Sequence, residues 1–271
     1  MIENNISVKN LLVSYKVFGE TLSGTIKPML ILHGWGSNSS RWQQVGELLA
    51  QQGVKVIVPD LPGFGQSETP KTTWSLSDYV EWVKDFSDQL PECSHGFYLL
   101  GHSFGGALAA KFTVKYNQNI EKLFLVASAL VREKTAKKTF FYRISKIVKI
   151  FSFLPYYPLA RKIFYKFILR KSDYPYVQGI MKDIYLKVIS DDLTQYISFV
   201  KVPTIIIWGD KDKFTPIENA YLINKKIHHS KLAVIANGSH ALQIESPEML
   251  TEKILQHIAV QGEMLSLKNI I

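Results

Sequence analysis

The sequence predicts an α/β protein, with a mostly parallel central sheet flanked by helices and interrupted by one inserted helical segment. Three observations point there. Short apolar runs with β-forming composition alternate with amphipathic stretches through the first half and the last quarter of the chain. A G-x-S-x-G segment stands between one such run and a helix-like stretch. The alternation stops between Ala129 and Val200 and resumes at Val202-Pro203-Thr204, so the insert interrupts one continuous domain. With 271 residues, 46% hydrophobic and 20% charged, the composition suits a soluble globular chain and excludes a fibrous or disordered one. The expected organisation is a core of residues 1–129 and 201–271 with an inserted cap over 130–200.

The elements read in order as follows. Ile6 to Phe18 shows partial alternation, which suits one or two strands in a hairpin at a sheet edge. Buried strands are expected at Met29–Leu32, Val54–Val58, Phe97–Leu100, Leu123–Val126, Thr204–Trp208 and Leu232–Ile235, because near-continuous apolar runs fit strands covered on both faces. Helices are expected at Arg41–Gln51, Leu76–Leu90, Phe104–Tyr116 and Ile217–Ile227, with a last one from Pro247 to about Val260.

The most informative segment is Gly101-His102-Ser103-Phe104-Gly105. A serine hydroxyl is a weak nucleophile until a fold exposes it, supplies a base and stabilises an oxyanion, and a sharp strand-to-helix turn helps with all three. Glycines two residues to either side of Ser103 remove the Cβ atoms that would block such a turn. The partners the chemistry needs occur later in the chain. Trp208-Gly209-Asp210-Lys211-Asp212 ends one strand, and Asn237-Gly238-Ser239-His240 follows the last one. All three sites fall just beyond the carboxyl ends of strands, where open parallel sheets place their functional groups.

In this Ser, Asp, His order the chain resembles the α/β-hydrolase fold superfamily over roughly residues 28–128 and 202–260. The resemblance implies an α/β-hydrolase fold with Ser103 as nucleophile, His240 as base and Asp212, in a W-G-x-x-D motif, as the acid that orients it. His33-Gly34-Trp35-Gly36 resembles the family's oxyanion loop, which makes the backbone N–H groups of Trp35 and Phe104 the expected donors. His33 and Gly34 then support that loop. Pro59-Asp60-Leu61-Pro62-Gly63-Phe64-Gly65-Gln66-Ser67 resembles the structural D-x-x-G-x-G-x-S loop bordering the site entrance. Asp210 is the rival for the acid, read instead as a turn carboxylate capping local N–H groups. The position after Val126, Ala127-Ser128-Ala129, offers no carboxylate. His102 points away from the pocket if Ser103 faces it, and is read as support through packing.

The implied activity is hydrolysis of carboxylic esters or related acyl bonds through an acyl-enzyme. Alternatives are a C–C bond hydrolase of the same fold and a non-catalytic binding protein. Serine at the elbow argues against the branches that use a carboxylate nucleophile. No cofactor is expected, and no H-E-x-x-H, carboxylate cluster, GK[ST] ending or strand-borne G-x-G-x-x-G suggests a metal or nucleotide. The single cysteine, Cys93, rules out an intramolecular disulfide.

The net charge of +9 is concentrated. Between Val131 and Lys187 there are 14 Lys or Arg against 3 Asp or Glu, a local +11 that leaves −2 for the remainder. Aromatics such as Phe140, Tyr156 and Phe164 interleave with these cations. The plain reading is a helical cap with its charges solvated. The functional readings are docking of an acidic carrier protein or of an anionic membrane surface. The basic cap, the H-G-W-G loop and the PDLPGFGQS loop resemble the pimeloyl-carrier-protein methyl esterases, which commonly carry Trp where this chain has His102. No nucleic-acid recognition motif accompanies the charge. The start of the sequence lacks a basic region followed by an apolar core, and no run of about 18 apolar residues occurs, so a cytoplasmic enzyme is the expectation.

Overall fold

A computed structural model of the chain describes residues 1–19, 26–131 and 179–258. Most of the expected insert, 132–178, including its aromatic and basic positions up to Lys171, lies outside the described residues, as does the segment from 259 onward. Among the described residues, eight strands form one sheet in the order β1-β2-β4-β3-β5-β6-β7-β8. They are β1 (Ile2–Val8), β2 (Leu11–Phe18), β3 (Met29–Leu32), β4 (Val56–Pro59), β5 (Phe97–His102), β6 (Ile120–Val126), β7 (Thr204–Gly209) and β8 (Ser230–Ile235).

The first two strands are the expected edge hairpin, antiparallel with Val8 opposite Leu11. Its two-residue turn, Lys9-Asn10, has φ of +51° and +59°, the twist that lets a tight hairpin follow the natural twist of its strands. From β4 onward all pairings are parallel. Alternate residues of the central strands feed two apolar cores, one on each face. Leu30, Leu32, Leu99, Ile206 and Trp208 face the side covered by α2 (Leu76–Asp88), α3 (Phe104–Lys115) and α5 (Ile217–Lys226). Met29, Ile31, Leu100, Ile205 and Ile207 face α1 (Gln43–Gln51) and α7 (Pro247–Leu255), the latter preceded by the short α6 (Leu242–Glu245). Each fully buried side chain of this kind stabilises the fold by about 1.5–3 kcal/mol.

The structure departs from the sequence expectations in several places: the edge hairpin begins at Ile2 instead of Ile6, and the last helix ends at Leu255 instead of about Val260. The strand expected from Val54 begins only at Val56. The stretch expected as one helix from Arg41 divides into a single 3₁₀ turn, Ser39–Trp42, followed by α1. The run Leu232–Ile235 is not covered on both faces, because β8 is an edge strand and Val234 is 40% exposed. Composition alone does not distinguish an edge strand from a central one.

Two topological facts position the site. The chain passes from β3 to its neighbour β4 and then crosses to β5 on the other side of β3, so the loops leaving β3 and β5 diverge from a switch point. In addition, β6 and β7 are adjacent and parallel, with Leu123 opposite Thr204, although the expected insert separates them in sequence. Of that insert, α4 (Gly179–Ser190) is described. It buries Ile184 and Val188, and Lys187 Nζ donates to the Thr73 carbonyl at 3.0 Å.

Candidate active site

Ser103 sits between β5 and α3 with φ of +52° and ψ of −115°, a conformation that costs a non-glycine residue on the order of 1–3 kcal/mol. The turn is held by close backbone approach. A Cβ at Gly101 would collide with the Gly105 carbonyl, and one at Gly105 with the Leu32 carbonyl at the end of β3. The Ser103 carbonyl accepts from the N–H groups of Gly106, Ala107 and Ala129 at 3.0, 3.2 and 2.9 Å. These contacts fix the main chain of Ser103, and the residue stays partly exposed.

His240, in the loop after β8, reaches that hydroxyl, with its Nε2 3.0 Å from Ser103 Oγ. Its Nδ1 lies 2.7 Å from Asp212 Oδ2. A carboxylate can only accept, so Nδ1 carries the proton and Nε2 is free to accept from the serine. Asp212 lies in the turn after β7 and its side chain is fully buried. It accepts four hydrogen bonds: from His240, from Thr215 Oγ1 at 2.6 Å, and at Oδ1 from the N–H groups of Phe214 and Thr215 at 2.8 and 2.9 Å. Burial alone would raise its pKa, but the bonds from His240 and Thr215 outweigh it and hold the carboxyl below its ordinary value of 3.8.

Asp210, by contrast, is exposed, and the local N–H groups it was expected to cap are taken by Asp212. Thr215 is a further member of the site that was not among the expected residues. Its hydroxyl contacts Asp212 and also lies 3.2 Å from the Ala127 carbonyl and 3.3 Å from His240 Nδ1. The spacing Asp212-x-x-Thr215 was the available signal, since a carboxylate three residues before a hydroxyl can fold into a local side-chain turn.

The loop after β3 closes the other side. Gly34 lies directly against the elbow, where a Cβ would stand 3.1 Å from His102 Nδ1 and 3.3 Å from Ser103 Cβ. Phe104 is the first residue of α3, and the first N–H groups of a helix have no partner within it. The Trp35 ring packs edge-on against Phe64 and Phe104, at 4.9 and 5.4 Å between centroids, and against Tyr185 of α4 at 5.1 Å. His33 is wholly buried. Its Nδ1–H donates to the Gly34 carbonyl at 2.8 Å and its Nε2 accepts from the Leu61 N–H at 2.9 Å. Burial pushes its pKa down to about 4, so it bridges the two loops as a neutral ring. The buried carboxylate of Asp60 completes the brace by accepting from the N–H groups of Ser39 at 2.6 Å and Gln66 at 2.8 Å.

The His102 ring bonds elsewhere in the site, with its Nε2 2.9 Å from the main-chain carbonyl of His240. His95, His228 and His229 are exposed. Cys93 is buried, and burial pushes its thiol up to about 12. Among the described residues no cluster of three His, Cys, Asp or Glu could hold a metal, and no helix is long and apolar enough to cross a membrane.

A strained serine at a strand–helix elbow, linked through histidine to a buried aspartate, defines an enzyme-like class of site. The model of the alpha/beta hydrolase fold family matches residues 27–149 and 153–247, and the chain belongs to that family. Lipase 1 of Psychrobacter immobilis is 23% identical over 267 residues, covering 90% of this chain and 81% of that protein. A crystal structure of a membrane phospholipase A described as a bacterial virulence factor superposes with a TM-score of 0.72 at 20% identity, covering 94% of this chain and 84% of that one. The meta-cleavage product hydrolase CumD of Pseudomonas fluorescens IP01 gives a TM-score of 0.66 at 22% identity, covering 93% and 97%. At these identities the structural likeness is one of fold.

Proposed function

We propose that the chain is a serine hydrolase that cleaves carboxylic ester bonds, or related acyl bonds, through an acyl-enzyme. The observation that carries this reading is the continuous line from Ser103 Oγ to His240 at 3.0 Å and from His240 to Asp212 at 2.7 Å. His240 Nε2 takes the Ser103 proton as Oγ attacks the carbonyl carbon. Asp212, kept ionised by its hydrogen bonds, stabilises the resulting imidazolium. The N–H groups of Trp35 and Phe104 receive the developing oxyanion, and His240 returns the proton to the leaving alcohol. Water then repeats the sequence on the acyl-enzyme. No step calls for a metal or cofactor.

The lid in this proposal is the segment 130–200, of which α4 brings Tyr185 against Trp35. The surplus of +11 over residues 131–187 supports an acidic docking partner, either an acyl-carrier protein or an anionic lipid surface. The lipase and phospholipase names of two similar proteins add weight to lipid acyl substrates. Likeness to a meta-cleavage product hydrolase keeps C–C hydrolysis as the second reading.

The test is hydrolysis of p-nitrophenyl esters from acetate to palmitate by the wild type and by Ser103→Ala. The expected result is turnover that falls by at least about 10³-fold in the variant. Turnover that survives in Ser103→Ala overturns the assignment. A folded wild type that is inert to esters but cleaves dienone ring-fission compounds moves the reading to C–C hydrolysis. Co-sedimentation with anionic liposomes, run beside a salt-sensitive pull-down with acyl-carrier protein, separates the two docking partners.

A further inference from the structure

His102 belongs to the elbow, yet it also meets two of the other loops that build the site, those after β3 and β8. It precedes Ser103 in the chain. Its Nδ1 faces Gly34 of the loop after β3, where only a missing Cβ makes room. Its Nε2 lies 2.9 Å from the carbonyl of His240, 138 residues away. The ring is packed 5.0 Å from the His240 ring and 5.9 Å from Trp42.

These partners determine its protonation. A carbonyl accepts, so Nε2 carries the hydrogen and Nδ1 holds a lone pair. Nδ1 is buried without a hydrogen-bond partner, so a second proton there would be a buried donor with nothing to bond. Burial is the main reason that the ring's pKa falls to about 3, and the nearby His240 and His33 add to it against an opposing pull from Asp212 and the His240 carbonyl. The ring therefore remains a neutral donor wherever His240 works as a base.

We propose that His102 is a positioning residue: its Nε2–H, bonded to the main-chain carbonyl of His240, holds the loop after β8 against the elbow and sets the distance between His240 Nε2 and Ser103 Oγ. The loop after β8 is tied to the turn after β7 by the Lys211 N–H donating to the Gly238 carbonyl at 2.9 Å and by His240 Nδ1 meeting Asp212, whereas the His102 bond ties its main chain to the elbow. The proposal rests on the serine-hydrolase reading for its kinetic consequence but not for its geometry.

The experiment compares His102→Phe, which keeps a ring and loses the donor, with His102→Gln, which keeps an N–H donor. On a p-nitrophenyl ester, His102→Phe is expected to lower kcat about 30-fold with KM within about twofold, since small misplacements of reacting groups cost up to about a hundredfold. His102→Gln is expected to recover most of that loss. Equal kcat in wild type and His102→Phe overturns the proposal, as does a loss confined to KM.

Two NMR measurements decide the geometry without turnover. In the wild type, the ¹⁵N spectrum is expected to show His102 as the Nε2–H tautomer, and the Nδ1–H tautomer overturns the proposal even if His102→Phe does not fold. The downfield Nδ1 proton of His240 is expected to shift or broaden in His102→Phe and to persist in His102→Gln. An inert wild type that shows both signals would count against ester hydrolysis and leave the positioning role standing.

Discussion

The two walls of the site are built by different physics. On the elbow side, Gly101, Gly105 and Leu32 meet backbone to backbone, and the position of Ser103 follows from the absence of Cβ atoms. On the opposite side, Gly209 after β7 and Gly238 after β8 also meet backbone to backbone, but the functional groups of His240 and Asp212 are aimed by side-chain hydrogen bonds, four of them ending on one buried carboxylate. A wall made by close packing fails by losing stability. A wall made by directional polar contacts can lose its chemistry while the fold survives. Substitutions on the two sides should therefore separate activity from stability.

The largest effect is expected from Asp212→Asn. The amide keeps the shape and one acceptor oxygen for the Phe214 and Thr215 N–H groups. Its NH₂ then faces His240 Nδ1 and forces the proton onto Nε2, the nitrogen that must accept from Ser103. A fall in kcat of about 10³- to 10⁴-fold is expected, with the thermal transition shifted only slightly. Asp210→Asn, on the exposed carboxylate of the same turn, should leave both within the ordinary scatter of surface substitutions. Equal losses from the two variants would contradict the assignment of the acid.

Gly105→Ala probes the other wall. The new methyl meets the Leu32 carbonyl, which is part of a central strand and has no flexible side chain to yield. A loss of about 3 kcal/mol or more is expected in denaturant unfolding, since overpacking against backbone strains both partners. A stably folded Gly105→Ala protein with intact turnover would show that the elbow tolerates more movement than its contacts suggest.

This contrast also explains what the sequence made legible. Close backbone approach leaves a mark, because glycine is the residue that permits it, and Gly101-x-Ser103-x-Gly105 could be read directly. The central strands were equally readable, since Met29–Leu32 and Thr204–Gly209 are buried on both faces. Polar placement leaves a weaker mark. Two aspartates in one turn are indistinguishable by composition, and only the resemblance to the W-G-x-x-D pattern favoured Asp212. Thr215 left only the spacing Asp212-x-x-Thr215, and the His102 bond to the His240 carbonyl depends on how distant loops meet, which no local pattern records. The edge position of β8 is a similar case, because it is fixed by topology and its apolar run looks like that of its neighbours.

The smallest expected effect belongs to two buried histidines: His102, which links the walls, and His33, which joins the loops after β3 and β4. His33 and His102 are held down to about 4 and about 3 in the folded chain, against 6.5 when unfolded. The unfolded chain therefore binds these protons first as pH falls. Their contribution to stability is complete above 6.5 and is lost as pH drops from there toward the folded values. The slope is on the order of 1 kcal/mol per pH unit for each ring. His257 is also held below its ordinary value, by burial and by Lys122, Lys231 and Lys253, but it is half-buried and contributes less. Asp212 works in a separate window, because a lowered carboxylate loses its contribution only below 3.8. Urea unfolding between about pH 7 and about pH 5 should thus show stability falling with acid, and His102→Gln should flatten the slope by about the share of one ring. An unchanged slope in that variant would mean that His102 gains its proton without cost in the folded protein. That would require an acceptor at Nδ1, and the ring could then no longer be the fixed neutral donor that joins the elbow to the loop of His240.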